Sequence, residues 1–146
     1  MKRTLSISLL ALALAAPTTA WAAFRSGSYT GKTAKSGAVS FRVTQTLLSR
    51  FKIAVVFNCT DGDRFQTVLQ GFPAQNIAKR RGVGRYSASF TGSNGASRYV
   101  NRGSILNKRA TGTFTGKRTY NAEDELDPQG TVVCTTGSLG YTARRP

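Results

Sequence analysis

The stretch from Val39 to Cys59, VSFRVTQTLLSRFKIAVVFNC, constrains the fold more than any other part of the chain. Apolar side chains occupy every second position at 39–43 and again at 51–57. Because successive side chains of a β-strand point to opposite faces, such alternation is typical of half-buried strands. The stretch therefore predicts two core strands, with Cys59 pointing inward at the end of the second.

The same alternation recurs further along the chain, at 65–69, 85–91 and 139–143. Glycine-containing turn sequences such as Asn94-Gly95 separate these segments, and no segment in this part of the chain sustains helical periodicity. Short strands at this spacing are typical of two-sheet proteins. We predict an all-β fold, a single antiparallel two-sheet sandwich of jelly-roll type with about eight or nine strands.

Three segments carry weaker patterns. Residues 26–33 predict a polar entry strand at a sheet edge, and residues 46–50 predict a turn. Residues 75–84, QNIAKRRGVG, predict a basic loop around the single apolar side chain of Ile77.

The N-terminal segment has the three parts of a secretory signal peptide. Lys2 and Arg3 are followed by an apolar run at 5–16 and by Ala20-Trp21-Ala22. The run is shorter than the stretch of about 20 residues that a spanning helix needs. We predict a signal peptide at 1–22 with cleavage after Ala22, and a single β-sandwich domain at 23–146 that does not span the membrane. The mature protein is then secreted or associated with the cell envelope, extracellular or periplasmic.

Two cysteines in an exported chain predict one disulfide, Cys59–Cys134, because the compartment is oxidising. The chain contains no histidine, which excludes Ser-His-Asp and Cys-His nucleophile arrangements and histidine-bearing metal sites. We therefore predict no catalytic residues, no cofactor and no metal ligands.

Five short motifs occur in an order that has a parallel in known proteins. They are GSYTGKT at 27–33, VSFRV at 39–43, CTDG at 59–62, CTTG at 134–137 and YTAR at 141–144. In this order they resemble a group of small exported two-cysteine β-sandwich proteins of actinobacterial-type bacteria. This chain departs from the group in having Tyr141 where members often have tryptophan, and in its arginine-rich loops. The resemblance implies a β-sandwich with one disulfide, and it implies no activity and no functional residue.

Charge is the main indication of function. The chain has 21 lysines and arginines against 6 acidic residues, and many of the basic ones form doublets or triplets. Such a surface attracts polyanions, and arginine makes forked contacts to phosphate or carboxylate. The alternative is that these residues only keep the surface soluble and the sheet edges unpaired. The candidate polyanion-binding residues are Lys79, Arg80, Arg81, Lys108, Arg109, Lys117, Arg118, Arg144 and Arg145.

The acidic residues lie in two segments, 61–63 and 123–127. Together they could supply oxygen ligands for calcium, although neither has the spacing of a known calcium loop. They could also supply the carboxylate pair of a weak hydrolase, but carboxylates in an open loop are poor candidates because a raised pKa requires burial. The alternative for both segments is a solvated loop, or one that folds against Lys79-Arg80-Arg81 and its neighbours.

Exposed aromatic side chains would favour other ligands. A carbohydrate-binding module needs an aromatic platform, and Tyr29, Tyr99 and Tyr120 are the candidates, since Trp21 falls in the signal peptide. Too few aromatic residues alternate with basic ones to favour nucleic acid. We therefore predict a non-catalytic, cationic module that binds anionic polymers such as wall phosphate polymer, acidic polysaccharide or lipopolysaccharide. A carbohydrate-binding module is the alternative, and a weak hydrolase is the third hypothesis.

Overall fold

The computed structural model describes residues 24–146, so the predicted signal peptide at 1–22 lies outside the described residues. These residues form ten strands and no helix. The strands are β1 (Gly27–Thr33), β2 (Ala38–Val43), β3 (Leu47–Cys59), β4 (Arg64–Leu69), β5 (Gln75–Arg80), β6 (Val83–Thr91), β7 (Ser97–Leu106), β8 (Arg109–Tyr120), β9 (Val132–Thr135) and β10 (Leu139–Arg144). The predicted all-β class is confirmed.

The strands pair antiparallel into one continuous sheet that closes on itself. Around the ring the order is β1, β2, β3, β5, β6, β7, β8 and β10, and β10 pairs with β1 again. The remaining two strands flank the long β3, where β4 pairs with its second half and β9 bridges its end to β8. A two-sheet sandwich therefore describes the architecture only approximately, because the hydrogen bonding is continuous around the ring.

The predicted alternation places the core inside this ring. The inward side chains of β2 and β3 have at most 3% of their surface exposed. In β10, Leu139, Tyr141 and Ala143 are also buried. The buried core residues of β2 and β3 are Val39, Phe41, Val43, Leu48, Phe51, Ile53, Val55 and Phe57.

Three local predictions were wrong. Strand β1 is not at an edge, because it lies between β10 and β2 and its inward side chain Tyr29 is fully buried. The predicted turn at 46–50 already belongs largely to β3, which begins at Leu47. The predicted loop at 75–84 is the β5–β6 hairpin, in which Gln75 and Ile77 face the core.

The predicted disulfide is confirmed. Cys59 and Cys134 occupy opposite positions on β3 and β9, and their sulfur atoms are bonded. The bond therefore connects the long central strand to the last part of the chain.

A polar network lies inside the ring among the buried aromatic side chains. The hydroxyls of Tyr86 and Tyr141 are 2.7 Å apart, and Tyr141 donates a hydrogen bond to Asn101 Oδ1 at 2.8 Å. Asn101 Nδ2 in turn donates to Gln75 Oε1 at 3.2 Å. Burial raises the pKa of Tyr86 to about 12, and burial together with Tyr86 raises the pKa of Tyr141 further. Both phenols therefore stay protonated at neutral pH and can act as hydrogen-bond donors.

We expect Tyr141→Phe to lower the free energy of unfolding by about 1–3 kcal/mol, because it leaves Asn101 Oδ1 and the Tyr86 hydroxyl buried without this partner. Urea denaturation followed by circular dichroism measures the change. The control is Tyr120→Phe, whose hydroxyl is only partly buried and which should change stability by less than about 0.5 kcal/mol. Equal effects of the two substitutions would contradict a specific role for the interior network.

Candidate anion-binding site

One end of the ring brings together turns and strand ends that are rich in arginine and lysine. Gly84, just after the β5–β6 turn, pairs with Ile105, just before the β7–β8 turn. Arg144, at the end of β10, pairs with Arg109, just after the β7–β8 turn. We call the basic residues gathered here the basic end: Arg25, Lys79, Arg80, Arg81, Lys108, Arg109, Arg144 and Arg145.

The β5–β6 turn holds Arg81 at a tip. Arg80 pairs with Val83, so the turn consists of only Arg81 and Gly82. Both have positive φ, 50° and 79°, as in the two-residue hairpin turns that match the twist of paired strands. The Arg81 side chain is exposed at this tip.

The β7–β8 turn and the end of β10 form a basic cleft of about 600 Å³. Arg109 and Arg144 are directly opposite each other on neighbouring strands, and the Arg145 N–H donates a hydrogen bond to the Lys108 carbonyl oxygen at 2.9 Å. Two pairs of consecutive basic residues therefore face one cleft, Lys108-Arg109 and Arg144-Arg145. The lining residues are Ser104, Leu106, Asn107, Lys108, Arg109, Thr111, Arg144 and Arg145.

Arg25 belongs to the basic end although the sequence did not single it out. Its N–H donates to the Asn107 carbonyl oxygen at 2.9 Å. The buried hydroxyl of Tyr29 donates to the carbonyl oxygens of Arg25 and Asn107, at 2.6 and 3.2 Å, which fixes the N-terminal segment against the β7–β8 turn. Arg25 is a lone arginine near the predicted cleavage site and belongs to no basic doublet. Its membership of the basic end is therefore visible only from its contact with Asn107.

Lys79 lies on β5, at the edge of the basic end. Its Nζ lies 5.2 Å from the centroid of the Phe24 ring and donates a hydrogen bond to Gln45 Oε1. Phe24 is buried, and the Lys79 ammonium group lies over its ring although the lysine side chain as a whole is exposed. Lys79 is therefore held in place more firmly than its exposed neighbours Arg80 and Arg81.

Lys117 and Arg118 do not join the basic end. They lie in the far part of β8, where Arg118 pairs with Cys134 of β9. The Arg118 guanidinium packs 5.1 Å from the centroid of the Phe57 ring and donates to the hydroxyls of Tyr99 and Tyr120, at 2.8 and 3.4 Å. Burial lowers the Arg118 pKa, but the hydrogen bonds to Tyr120 and Tyr99 outweigh this and raise it. Arg118 is a packing residue rather than a free cation.

All six acidic side chains lie at the opposite end of the ring. Asp61 and Asp63 occupy the β3–β4 turn, and the other four occupy the loop from Asn121 to Thr131 between β8 and β9. Asp61, Asp63 and Asp124 line a cleft of about 280 Å³ beside the disulfide. Among the described residues, however, no three acidic, histidine or cysteine side chains are grouped closely enough to hold a metal ion.

The three candidate tyrosines of a sugar platform do not form one. Tyr29 is fully buried and stacks on Phe41, with ring centroids 5.4 Å apart. Tyr99 and Tyr120 are partly buried and bind Arg118. Tyr29 is therefore not available as an exposed aromatic contact, and the hydroxyls of Tyr99 and Tyr120 are engaged by Arg118.

The separation of charge has an energetic consequence at the basic end. Like charges directly opposite across two strands are destabilising, and Arg109 faces Arg144 in this way. No acidic side chain lies at this end to balance them, because both acidic segments are at the other. The basic end therefore has an unbalanced positive field that a bound anion would neutralise.

Comparison with known proteins gives no relative. No family model matches the chain, and neither a curated protein nor a solved structure matches it. The resemblance to exported actinobacterial-type proteins therefore stays a prediction. Within residues 24–146, no helix is long and apolar enough to cross a membrane.

Proposed function

We propose that this protein is a non-catalytic, exported module that binds anionic polymers of the cell envelope or its surroundings through the basic end. The single observation that carries the proposal is the separation of charge: arginines and lysines of four chain segments meet at one end of the ring, and all six acidic side chains lie at the other. Basic residues that served only solubility would not need to be gathered in this way.

The chemistry of the basic cleft supports binding rather than catalysis. Its lining side chains are cations, hydroxyls, an amide and one leucine, so it offers hydrogen-bond donors and positive charge but no carboxylate to act as a general base. Two arginines and one lysine stand at its rim in exposed positions, and guanidinium groups hold phosphate or carboxylate through paired hydrogen bonds. Wall phosphate polymer, acidic polysaccharide and lipopolysaccharide all carry such groups.

The disulfide supports export. Disulfides persist in oxidising compartments, and both cysteines of this chain are bonded to each other. Positive charge attracts anionic polymers, and these are found in cell envelopes, so location and charge favour the same ligand class.

The test is binding of the mature protein to heparin and to lipid-free poly(glycerol phosphate), each measured over a range of salt concentrations. We expect affinity to fall steeply with salt, because each neutralised anionic group releases bound counterions. The triple variant Arg81→Ser, Arg109→Ser, Arg144→Ser should bind roughly 10-fold to 100-fold more weakly at 0.15 M salt and should lower the salt slope by about two to three.

The matched control removes the same charge elsewhere. Arg64, Arg98 and Lys117 are exposed and lie towards the acidic end, so changing all three to serine should alter affinity by less than about threefold. Equal weakening by the two triple variants would mean that binding follows net charge alone and would overturn the proposal. Salt-independent binding to neutral glycans would instead favour the carbohydrate-binding module.

A further inference from the structure

We infer that the binding site extends from the basic end across the outer face of β6, β7, β8, β10 and β1, so that its ligand is an extended chain of repeated anionic groups rather than a compact anion. This inference rests on the proposed function and names the form of its ligand. It adds Lys32, Arg85 and Arg102, none of which belongs to the basic end.

The strand register aligns outward-facing residues into rows that run around the ring. Arg85 of β6 pairs with Ser104, Ser104 with Thr111, Thr111 with Thr142 and Thr142 with Lys32 of β1. The residues that flank this row along each strand face the interior, as the burial of Tyr86, Ile105, Ala110, Tyr141 and Thr33 shows. The row therefore has a cation at each end, Arg85 and Lys32, with three hydroxyl side chains between them.

The neighbouring rows continue the pattern. In the row nearer the basic end, Arg109 pairs with Arg144, and Arg144 pairs with Thr30. In the row on the other side, Ser87 pairs with Arg102, and Arg102 pairs with Thr113. Arginines and small hydroxyl side chains thus share one surface, to which neither acidic segment contributes.

The dimensions of this surface favour a long ligand. Neighbouring strands are about 4.8 Å apart, so Arg85 and Lys32, four strands apart, are separated by about 19 Å measured along the sheet. A single phosphate or carboxylate contacts only one or two of these cations at a time. Because β6 and β1 are four strands apart in a ring of eight, the row curves halfway around the ring. A flexible linear polyanion that follows this curve can contact the cations in succession, and the serine and threonine hydroxyls between them can donate hydrogen bonds to its backbone oxygens.

The small side chains also leave the path open. Between Arg85 and Lys32 the row carries only serine and threonine, which stand less far from the sheet than the flanking basic side chains. A polymer can therefore lie close to the sheet along this path.

The test compares two linear inorganic polyphosphates, tripolyphosphate and a chain of about twenty units, with isothermal titration calorimetry at several salt concentrations. We expect Lys32→Ser, Arg85→Ser, Arg102→Ser to weaken binding of the long chain by roughly tenfold or more and to lower its salt slope by about two. Binding of tripolyphosphate should change by less than about twofold, because the basic end is intact in this variant.

The control is again Arg64→Ser, Arg98→Ser, Lys117→Ser, which removes the same charge and should leave both ligands bound as in the wild type. If the two triple variants weaken the long chain equally, the extended path is wrong while binding at the basic end stands. The same conclusion follows if the wild type binds both lengths with the same affinity and salt slope. If the wild type binds neither polyphosphate and neither polymer, the proposed function itself fails.

Discussion

Replacing Cys59 and Cys134 with serine should lower the free energy of unfolding by about 4 kcal/mol. The bond closes a loop between residues that are 75 positions apart, so it removes a large part of the conformational freedom of the unfolded chain. It also holds β9 against the end of β3, where β9 makes only a short pairing. Guanidinium denaturation of the wild type and the double variant, with no reductant present, measures the difference.

The same variant separates stability from binding. The disulfide lies at the acidic end, beside Asp61 and Asp63, and no residue of the basic end touches it in the cleft that it lines. The folded fraction of the double variant should therefore bind poly(glycerol phosphate) with unchanged affinity and salt slope. A loss of affinity in protein that remains folded by circular dichroism would show that the two ends are coupled. A change in unfolding free energy below about 1 kcal/mol would show that β9 is held mainly by its other contacts.

The positions that were predicted correctly are those where local pattern and burial agree. In β2, β3 and β10 the inward positions carry large apolar side chains, so the period of two is visible in the sequence. In β5 the inward positions are Gln75 and Ile77, and in β1 they include Gly31 and Thr33. Because polar and small residues occupy those inward positions, the period is hidden, and the sequence predicts a loop at β5 and an edge strand at β1.

The arrangement of the basic residues could not be predicted, because it depends on which strands are neighbours. The doublets at 80–81, 108–109 and 144–145 meet only because β6 pairs with β7 and β10 pairs with β8. Nothing local distinguishes them from Lys117 and Arg118, yet the guanidinium of Arg118 packs against Phe57 and Tyr99. Long-range strand pairing decides which cations are available to a ligand.

The closure of the ring can be tested at Gly31, where β1 and β10 approach each other. A Cβ atom on Gly31 would lie 1.9 Å from the Thr142 carbonyl oxygen and 2.6 Å from the Ala143 Cα, and both of these are backbone atoms that cannot rotate away. Gly31→Ala should therefore push β10 away from β1 and lower the free energy of unfolding by about 3 kcal/mol. Urea denaturation measures this change, and loss of β-sheet circular dichroism at 25 °C would indicate a still larger one.

The matched control lies on the partner strand. A Cβ atom on Gly140 of β10 would meet nothing within 4 Å, so Gly140→Ala should change stability by less than about 0.5 kcal/mol. Because Arg144 ends β10, Arg145 follows it and Arg25 precedes β1, folded Gly31→Ala protein should also bind poly(glycerol phosphate) more weakly than the control does. If Gly31→Ala and Gly140→Ala are equally stable, β1 and β10 can separate without cost and ring closure does not hold the basic end together. Gly31→Ala could instead be unstable while its folded fraction binds as tightly as the control. The basic end would then tolerate displacement of this pair of strands, and ligand contacts would depend on the β7–β8 turn.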